Sequence, residues 1–340
     1  EIERLFGMVR QLKKQGVGII YISHRLEEVK MIGDRVTVLR DGRYVDTLSV
    51  KQTDMDYLIS LMVGEEITER FPREAVEKGG EILRVQNLTK IPFFQDVSFA
   101  LHKGEILGLA GLLGSGKENV LRSIYGIERY ATGSIYIAGR NITITSCPDA
   151  INCGIGYLPS DKKEEGIILR MVARENITLS SLRNLCRLGI LRLKEESRAA
   201  DEFRKKLDIR MPSIQTLAEY LSGGNQQKVI IARSLCGQSN IFFFDEPTQG
   251  IDIGAKVEIY HLLIDLVRRG AAVLLASSEL AELIGMCDRI LAMYRGRVIG
   301  EYSREDFSQE KILRAIFGKK EEHRDKMPTL RISEVRSGEV

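Results

Sequence analysis

Long apolar runs are what this chain most plainly lacks. No stretch of its 340 residues comes near the roughly 20 consecutive apolar residues that cross a bilayer; the longest, "IFFFD" (241–245) and "AAVLLA" (271–276), are strand-sized. Cysteine is sparse and unpatterned. Cys147, Cys153, Cys186, Cys236 and Cys287 form no C-x-x-C pair, and there are only four histidines. Neither a disulfide framework nor a zinc site is indicated, and a reducing compartment is the simplest setting. Charge is nearly balanced at +3, which gives no reason to expect nucleic acid or an acidic membrane surface as partner. The start carries no basic-plus-apolar leader and no initiator Met, so the sequence reads as a piece of something longer. What is present, 44% hydrophobic and 29% charged residues, is ordinary for a soluble globular chain of about two domains.

One long-range regularity interrupts this plain composition. Residues 16–43, "GVGIIYISHRLEEVKMIGDRVTVLRDGR", align without a gap on residues 270–297, "GAAVLLASSELAELIGMCDRILAMYRGR". The offset is 254 positions, and it holds identities at Ser23/Ser277, Leu26/Leu280, Glu28/Glu282, Asp34/Asp288, Arg35/Arg289, Gly42/Gly296 and Arg43/Arg297. A period this long means duplicated domains, not a solenoid of short units. Glu1 then corresponds to Ala255, and the first copy lacks a counterpart of residues 81–254. The expected division is a C-terminal remnant of a first domain (1–64), a charged linker (65–80), a complete second domain (81–318) and a polar tail (319–340).

Within the second copy, 104–111, 241–246 and 271–277 read as buried strands. Residues 117–125, 194–207, 224–236, 255–269 and 279–285 read as helices, and 133–142 and 289–302 as smaller antiparallel additions. Alternation of strands and helices predicts an α/β fold with a mostly parallel sheet. The loop "GLLGSGK" (111–117) sits between a strand and a helix and fits G-x-x-x-x-G-K through Gly111, Gly116 and Lys117, with Gly114 and Ser115 between them. Such glycines let backbone N–H groups converge on phosphate oxygens, the helix start adds positive potential, and Lys117 adds a cation. The next position ordinarily carries the Ser or Thr hydroxyl that ligates Mg²⁺. Glu118 stands there, longer and negatively charged. The alternative is a Gly-rich turn with an exposed Lys.

Asp245 and Glu246 end the apolar strand 241–246. In a phosphate-loop fold the first acid holds Mg²⁺ through water and the second polarises the attacking water; otherwise they are two solvated acids. "LSGGNQQK" (221–228) starts a helix after a hydroxyl and two glycines, and Leu221, Ser222, Gly223, Gly224 and Gln226 read as a second anion-binding helix start, or else as a well-capped helix.

In this order, the loop, "LSGGNQQK", "FFFDEPTQGID" and the strand that follows resemble the ABC ATPases. Tandem copies with "DEPTQGIDIGAK" and "SSEL" resemble, over nearly the whole chain, the ATP-binding subunit of bacterial monosaccharide importers of the ribose/galactose/xylose group. The resemblance implies a P-loop NTPase fold with a mostly parallel sheet, a small antiparallel β part and a helical subdomain. It implies ATP and Mg²⁺ as cofactors. Two domains would face head to tail, each ATP lying between the loop and acids of one and the LSGG segment of the other. Asp252 would lie at the seam, and Phe93 or Phe94 would stack on adenine unless it belongs to the core. Ser160 takes the place of the Gln that senses the γ-phosphate, and residues from there to about 187 would touch a membrane subunit. The implied partners are integral membrane permease subunits, indirectly a periplasmic or extracellular sugar-binding protein, and the missing first ATPase half, with no nucleic acid. The implied location is peripheral, on the cytoplasmic face of the cell membrane.

The repeat adds an asymmetry. His24 corresponds to Ser278. In such proteins a His at this position contacts the γ-phosphate, and Ser278 is too short and uncharged to do so. The second copy thus departs at Glu118, Ser160 and Ser278 and keeps Lys117, Asp245 and Glu246. The expectation is a site that binds nucleotide but hydrolyses it slowly or not at all, in a chain with little ATPase activity alone. Glu246 and His24 are the expected catalytic residues of the two sites. Two other functions fit the same motifs: a soluble tandem ABC ATPase acting on ribosomes or DNA, and a nucleotide-binding module without turnover. The first normally keeps both sites intact and has a basic linker, unlike 64–80. No residue identifies the sugar.

Overall fold

A parallel strand covered on both faces reads as a near-continuous apolar run, and three such runs occur here: Ile106–Ala110, Ile241–Asp245 and Ala272–Ser277 are buried throughout and polar only at the last residue of the second and third. The computed structural model describes residues 2–22, 26–40, 43–53, 57–58, 61, 71–72, 76–251 and 253–318. In chain order its elements begin with α1 (Ile2–Lys14), α2 (Leu26–Ile32), β1 (Arg35–Arg40), β2 (Arg43–Ser49), β3 (Glu81–Lys90), β4 (Phe94–His102) and β5 (Ile106–Ala110). There follow α3 (Lys117–Ile124), β6 (Thr132–Ile137), β7 (Arg140–Ile142), α4 (Cys147–Asn152), β8 (Ile155–Leu158), α5 (Ala173–Thr178), α6 (Leu182–Leu185), β9 (Cys186–Arg187) and β10 (Ile190–Leu191). The last are α7 (Leu193–Lys206), α8 (Gly223–Cys236), β11 (Ile241–Asp245), α9 (Ile253–Arg268), β12 (Ala272–Ser277), α10 (Leu280–Met286), β13 (Arg289–Tyr294), β14 (Arg297–Ser303) and α11 (Gln309–Ile316).

Six strands form the main sheet in the order β14-β13-β5-β12-β11-β8, with β14 antiparallel at its edge and the other five parallel. A four-stranded antiparallel sheet, β4-β3-β6-β7, packs against it. Side chains alternate between the faces of a strand, and the core divides accordingly. Ile106, Phe242, Phe244, Val273 and Leu275 join the α8 and α9 residues Val229, Ile230, Leu263 and Ile264. Leu107, Leu109, Phe243, Leu274 and Ala276 join the antiparallel sheet and Val120 and Leu121 of α3. Gly108 is required between these layers, because a Cβ there would stand 2.8 Å from Cys287 Sγ.

One sequence expectation changes. β13 is not part of an antiparallel addition: it runs parallel to β5 inside the main sheet, and only β14 is antiparallel. Strands β3 and β4 carry bulges, with register shifts between Val85 and Leu88 and on to Lys90, which blur the two-residue alternation that reveals a strand. The repeat is visible in the elements: α2, β1 and β2 repeat the ranges of α10, β13 and β14 at the 254-residue offset, but 18–22, aligned with β12, forms no strand among the described residues. β12 is held between β5 and β11; no described strand flanks 18–22, and Ile20 and Ile22 stay exposed. No helix among the described residues is long and apolar enough to cross a membrane.

Candidate functional site

β5 sits where strand order reverses, with β13 on one side and β12 on the other, and such a reversal opens a crevice beyond the strand ends. The chain leaves β5 into that crevice as the loop 111–116. Gly114 and Gly116 adopt φ of 78° and 94°, where a side chain is strained. At Gly116 a Cβ would also lie 2.5 Å from the Phe93 carbonyl oxygen. The loop therefore turns tightly and starts α3 at Lys117, leaving first-turn N–H groups at its end. Gly111 packs on the Ser115 side chain.

Lys117 is buried, yet its Nζ donates to Glu246 Oε1 at 2.7 Å and to Glu118 Oε1 at 3.3 Å. Burial disfavours its charge, but the carboxylate of Glu246, helped by Glu118 and Asp245, outweighs this and holds the ammonium above its usual pKa. Glu246 follows the end of β11 with φ of 48°, a left-handed conformation rare for a non-glycine residue, and its N–H donates to the Ala276 carbonyl at 2.9 Å. Its other carboxylate oxygen, Oε2, accepts from Ser278 Oγ at 3.0 Å.

Asp245 is buried beside this pair. Tyr157 OH donates to its Oδ2 at 3.3 Å, while Oδ1 has no hydrogen-bond partner. Burial, with the charges of Glu118 and Glu246 adding to it against Lys117, pushes its pKa up to about 6. Ser115 Oγ is likewise buried without a partner. Buried polar atoms are normally satisfied, so these two orphans, the left-handed glycines and the buried Lys fit a nucleotide phosphate and its metal ion. Among the described residues no three His, Cys, Asp or Glu side chains converge as a metal cage, so a divalent ion held by Asp245 through water would need a phosphate to complete its ligands. The hydroxyl normally adjacent is replaced by Glu118.

Leu221, Ser222, Gly223, Gly224 and Gln226 lie in a different place. Ser222 is exposed and caps α8, its Oγ accepting from Asn225 N–H at 3.4 Å and from Asn225 Nδ2 at 2.9 Å. Leu221 is buried, Gln226 Nε2 donates to the Ala218 carbonyl at 3.0 Å, and Gly224 packs closely on Ala255. None of the hydrogen bonds of these residues reaches Lys117, Asp245 or Glu246. The next residue of the segment, Gln227, is the link: its side-chain amide contacts the Pro247 carbonyl, just past the two acids. Ser160 is exposed after β8. Phe94 belongs to the core, whereas Phe93 is half-exposed, its carbonyl against the phosphate loop and Lys90 Nζ 5.1 Å from its ring centre. His24 and Asp252 lie outside the described residues. Tyr157 escaped the sequence reading; its only signal was one polar tip in the apolar run "GIGYL".

A family model described as "ABC transporter" matches residues 94–249. A putative ribose/galactose/methyl galactoside import ATP-binding protein of Geobacillus kaustophilus is 44% identical over 94% of this chain and 63% of its own length. The ribose import ATP-binding protein of Bacillus subtilis is 42% identical over 94% of the chain and 64% of its own length. The chain thus spans about three fifths of the length of these curated relatives. Among solved structures, an ATP-binding cassette of an ABC transporter in its ADP conformation superposes with a TM-score of 0.58 at 22% identity, over 70% of this chain and 96% of that one. A nucleotide-free ATP-binding cassette from an ABC transporter gives a TM-score of 0.57 at 22% identity, over 70% of this chain and 96% of that one.

Proposed function

The chain carries an ABC ATPase domain with the P-loop NTPase fold, and on that premise we propose that it is part of the ATP-binding subunit of an importer for a monosaccharide of the ribose, galactose or xylose type. Its partners in that role are integral membrane permease subunits at the cytoplasmic face of the membrane, an external sugar-binding protein acting through them, and a first ATPase half. The relatives that support this are the import ATP-binding proteins named above. The observation that carries the chemistry is the convergence of Lys117, Asp245 and Glu246 at the ends of β5 and β11.

In this proposal the 111–117 loop and Lys117 bind nucleotide phosphates, and Asp245, through water, would hold Mg²⁺ together with a bound phosphate. The ion, when bound, neutralises phosphate charge. For that to happen Lys117 must exchange Glu246 for phosphate, which releases Glu246 to accept a proton from water. Ser278 holds Glu246 by a hydrogen bond but brings no charge to the γ-phosphate. Glu118 opposes the incoming negative charge. Losing one phosphate or metal contact costs about 3 kcal/mol of transition-state stabilisation, roughly a hundredfold in rate. The site therefore binds nucleotide and turns it over poorly. The competent site combines His24 with a first phosphate loop and the Ser222–Gly223–Gly224 helix start, and Asp252 lies at the seam.

Affinity purification of the tagged protein from detergent-solubilised membranes tests this. An integral permease is the expected companion; ribosomes or DNA in its place would contradict the importer assignment.

A further inference from the structure

Between Glu175 and Glu195 the chain carries Arg183, Arg187, Arg192 and Lys194 and no acid. The near balance of the whole chain, +3, hides this local excess. The interval holds the short hairpin β9–β10, in which Ile190 pairs with Arg187 and Leu191 with Cys186. Two residues are left for its turn, Leu188 and Gly189, with φ of 52° and 80°. A turn that is left-handed at both central positions favours Asn-Gly, and a bulky side chain at the first of them is a conformational outlier.

Leu188 is also 96% exposed, and Ile190 and Leu193 are 73% and 60% exposed. Conformation and solvation would both be better served by a polar residue at 188, so two separate costs fall on one side chain, the mark of a position kept for contact with something else. Cross-strand partners share a face. Ile190 and Arg187 therefore project on the open side of the hairpin, while Cys186 and Leu191 are half-buried on the other. The base is fixed: Arg192 donates to the Asn184 carbonyl at 3.1 Å and to Glu195 at 2.6 Å. Glu196 is buried against Arg174. Arg183, Arg187 and Lys194 are exposed and form no ion pair among the described residues.

A protein complementary to this tip would need a cavity for Leu188 and several acids around it. A bilayer containing anionic lipid offers an apolar interior under a negative surface at every point. We propose that the β9–β10 hairpin is a membrane-surface anchor. Leu188, Ile190 and Leu193 enter the boundary between headgroups and acyl chains, and Arg183, Arg187 and Lys194 stay at the level of the lipid phosphates. Neither part suffices alone; a few inserted apolar side chains and a cationic patch together give reversible binding. This goes beyond the importer reading and requires no permease.

Cosedimentation of the full chain with lipid vesicles tests the proposal. Affinity should be about tenfold higher or more for phosphatidylcholine vesicles with about 30% phosphatidylglycerol than for phosphatidylcholine alone. Leu188→Asn, which suits the turn, should weaken binding to the anionic vesicles about tenfold. Arg187→Gln combined with Lys194→Gln should weaken it similarly and flatten its dependence on salt. Thermal unfolding and Lys117-dependent ATP binding are expected to be unchanged in both variants. No binding to the anionic vesicles overturns the proposal, as does equal affinity for the two compositions. Binding that Leu188→Asn leaves intact overturns it too, because the chain then adsorbs by charge through another surface. If vesicles are not bound but Leu188→Asn costs the chain a membrane-protein companion in a pull-down, the tip is a protein contact and the anchor is again overturned.

Discussion

Lys117 Nζ lies 2.7 Å from Glu246 Oε1, so the cation of the phosphate loop and the acid after β11 neutralise each other across the crevice. In the proposed nucleotide site, phosphate must displace that carboxylate. Glu246→Gln keeps a hydrogen-bond acceptor and removes the competing charge, so nucleotide affinity should rise about tenfold, or 1.4 kcal/mol. Lys117→Ala should abolish binding. Titration calorimetry with ATP on the two variants checks both, and weaker binding by Glu246→Gln would count against competition.

Glu118 stands where a hydroxyl is expected and lies 3.3 Å from Lys117 Nζ. Glu118→Thr removes a negative charge and supplies a metal-ligating hydroxyl. Affinity for ATP with Mg²⁺ should increase by about tenfold, more than affinity without the ion. An equal gain in the presence and absence of Mg²⁺ would assign the effect to charge alone.

Asp245 has its pKa pushed up to about 6. The folded state then holds this proton more tightly than the unfolded chain, whose carboxyl has the ordinary value of about 3.9. Its contribution is most favourable below about pH 4, is lost as pH rises through 6, and stays lost above. Asp245→Asn removes that loss. It should stabilise the protein by roughly 1–3 kcal/mol at pH 7 and by little at pH 4. Urea unfolding at the two pH values measures this, and a gain that is larger at pH 4 would reverse the sign.

Gly108 illustrates how tightly the layers meet. Gly108→Ala drives a methyl against Cys287 Sγ, only 2.8 Å away, and should destabilise by about 1–3 kcal/mol. Adding Cys287→Ala should recover part of the loss, and thermal unfolding of single and double variants tests that coupling.

The parallel centre of the fold was readable because β5, β11 and β12 are buried on both faces and therefore apolar up to the final Asp245 and Ser277 of the last two. β13 was misassigned for a related reason: its turn into β14 looks like a hairpin, and pairing with β5 depends on residues 182 positions away. β3 was hidden by its bulges. The segment 18–22 carries a strand's composition without its neighbours, so composition alone could not fix its conformation. At the site, the spacing of Gly111 to Lys117 and the acids at 245 and 246 were legible as motifs. The Lys117–Glu246 pair, the lone Oδ1 of Asp245 and the hydroxyl of Tyr157 beside it depend on tertiary approach and left no local trace.

The central claim is that the Lys117 site holds nucleotide without appreciable turnover. Mg-ATP hydrolysis by the purified 340-residue chain, measured at a nucleotide concentration that calorimetry shows to saturate the site, tests it most directly. The account predicts saturable binding with a rate no higher than that of Glu246→Gln. Steady turnover that Glu246→Gln abolishes would contradict it.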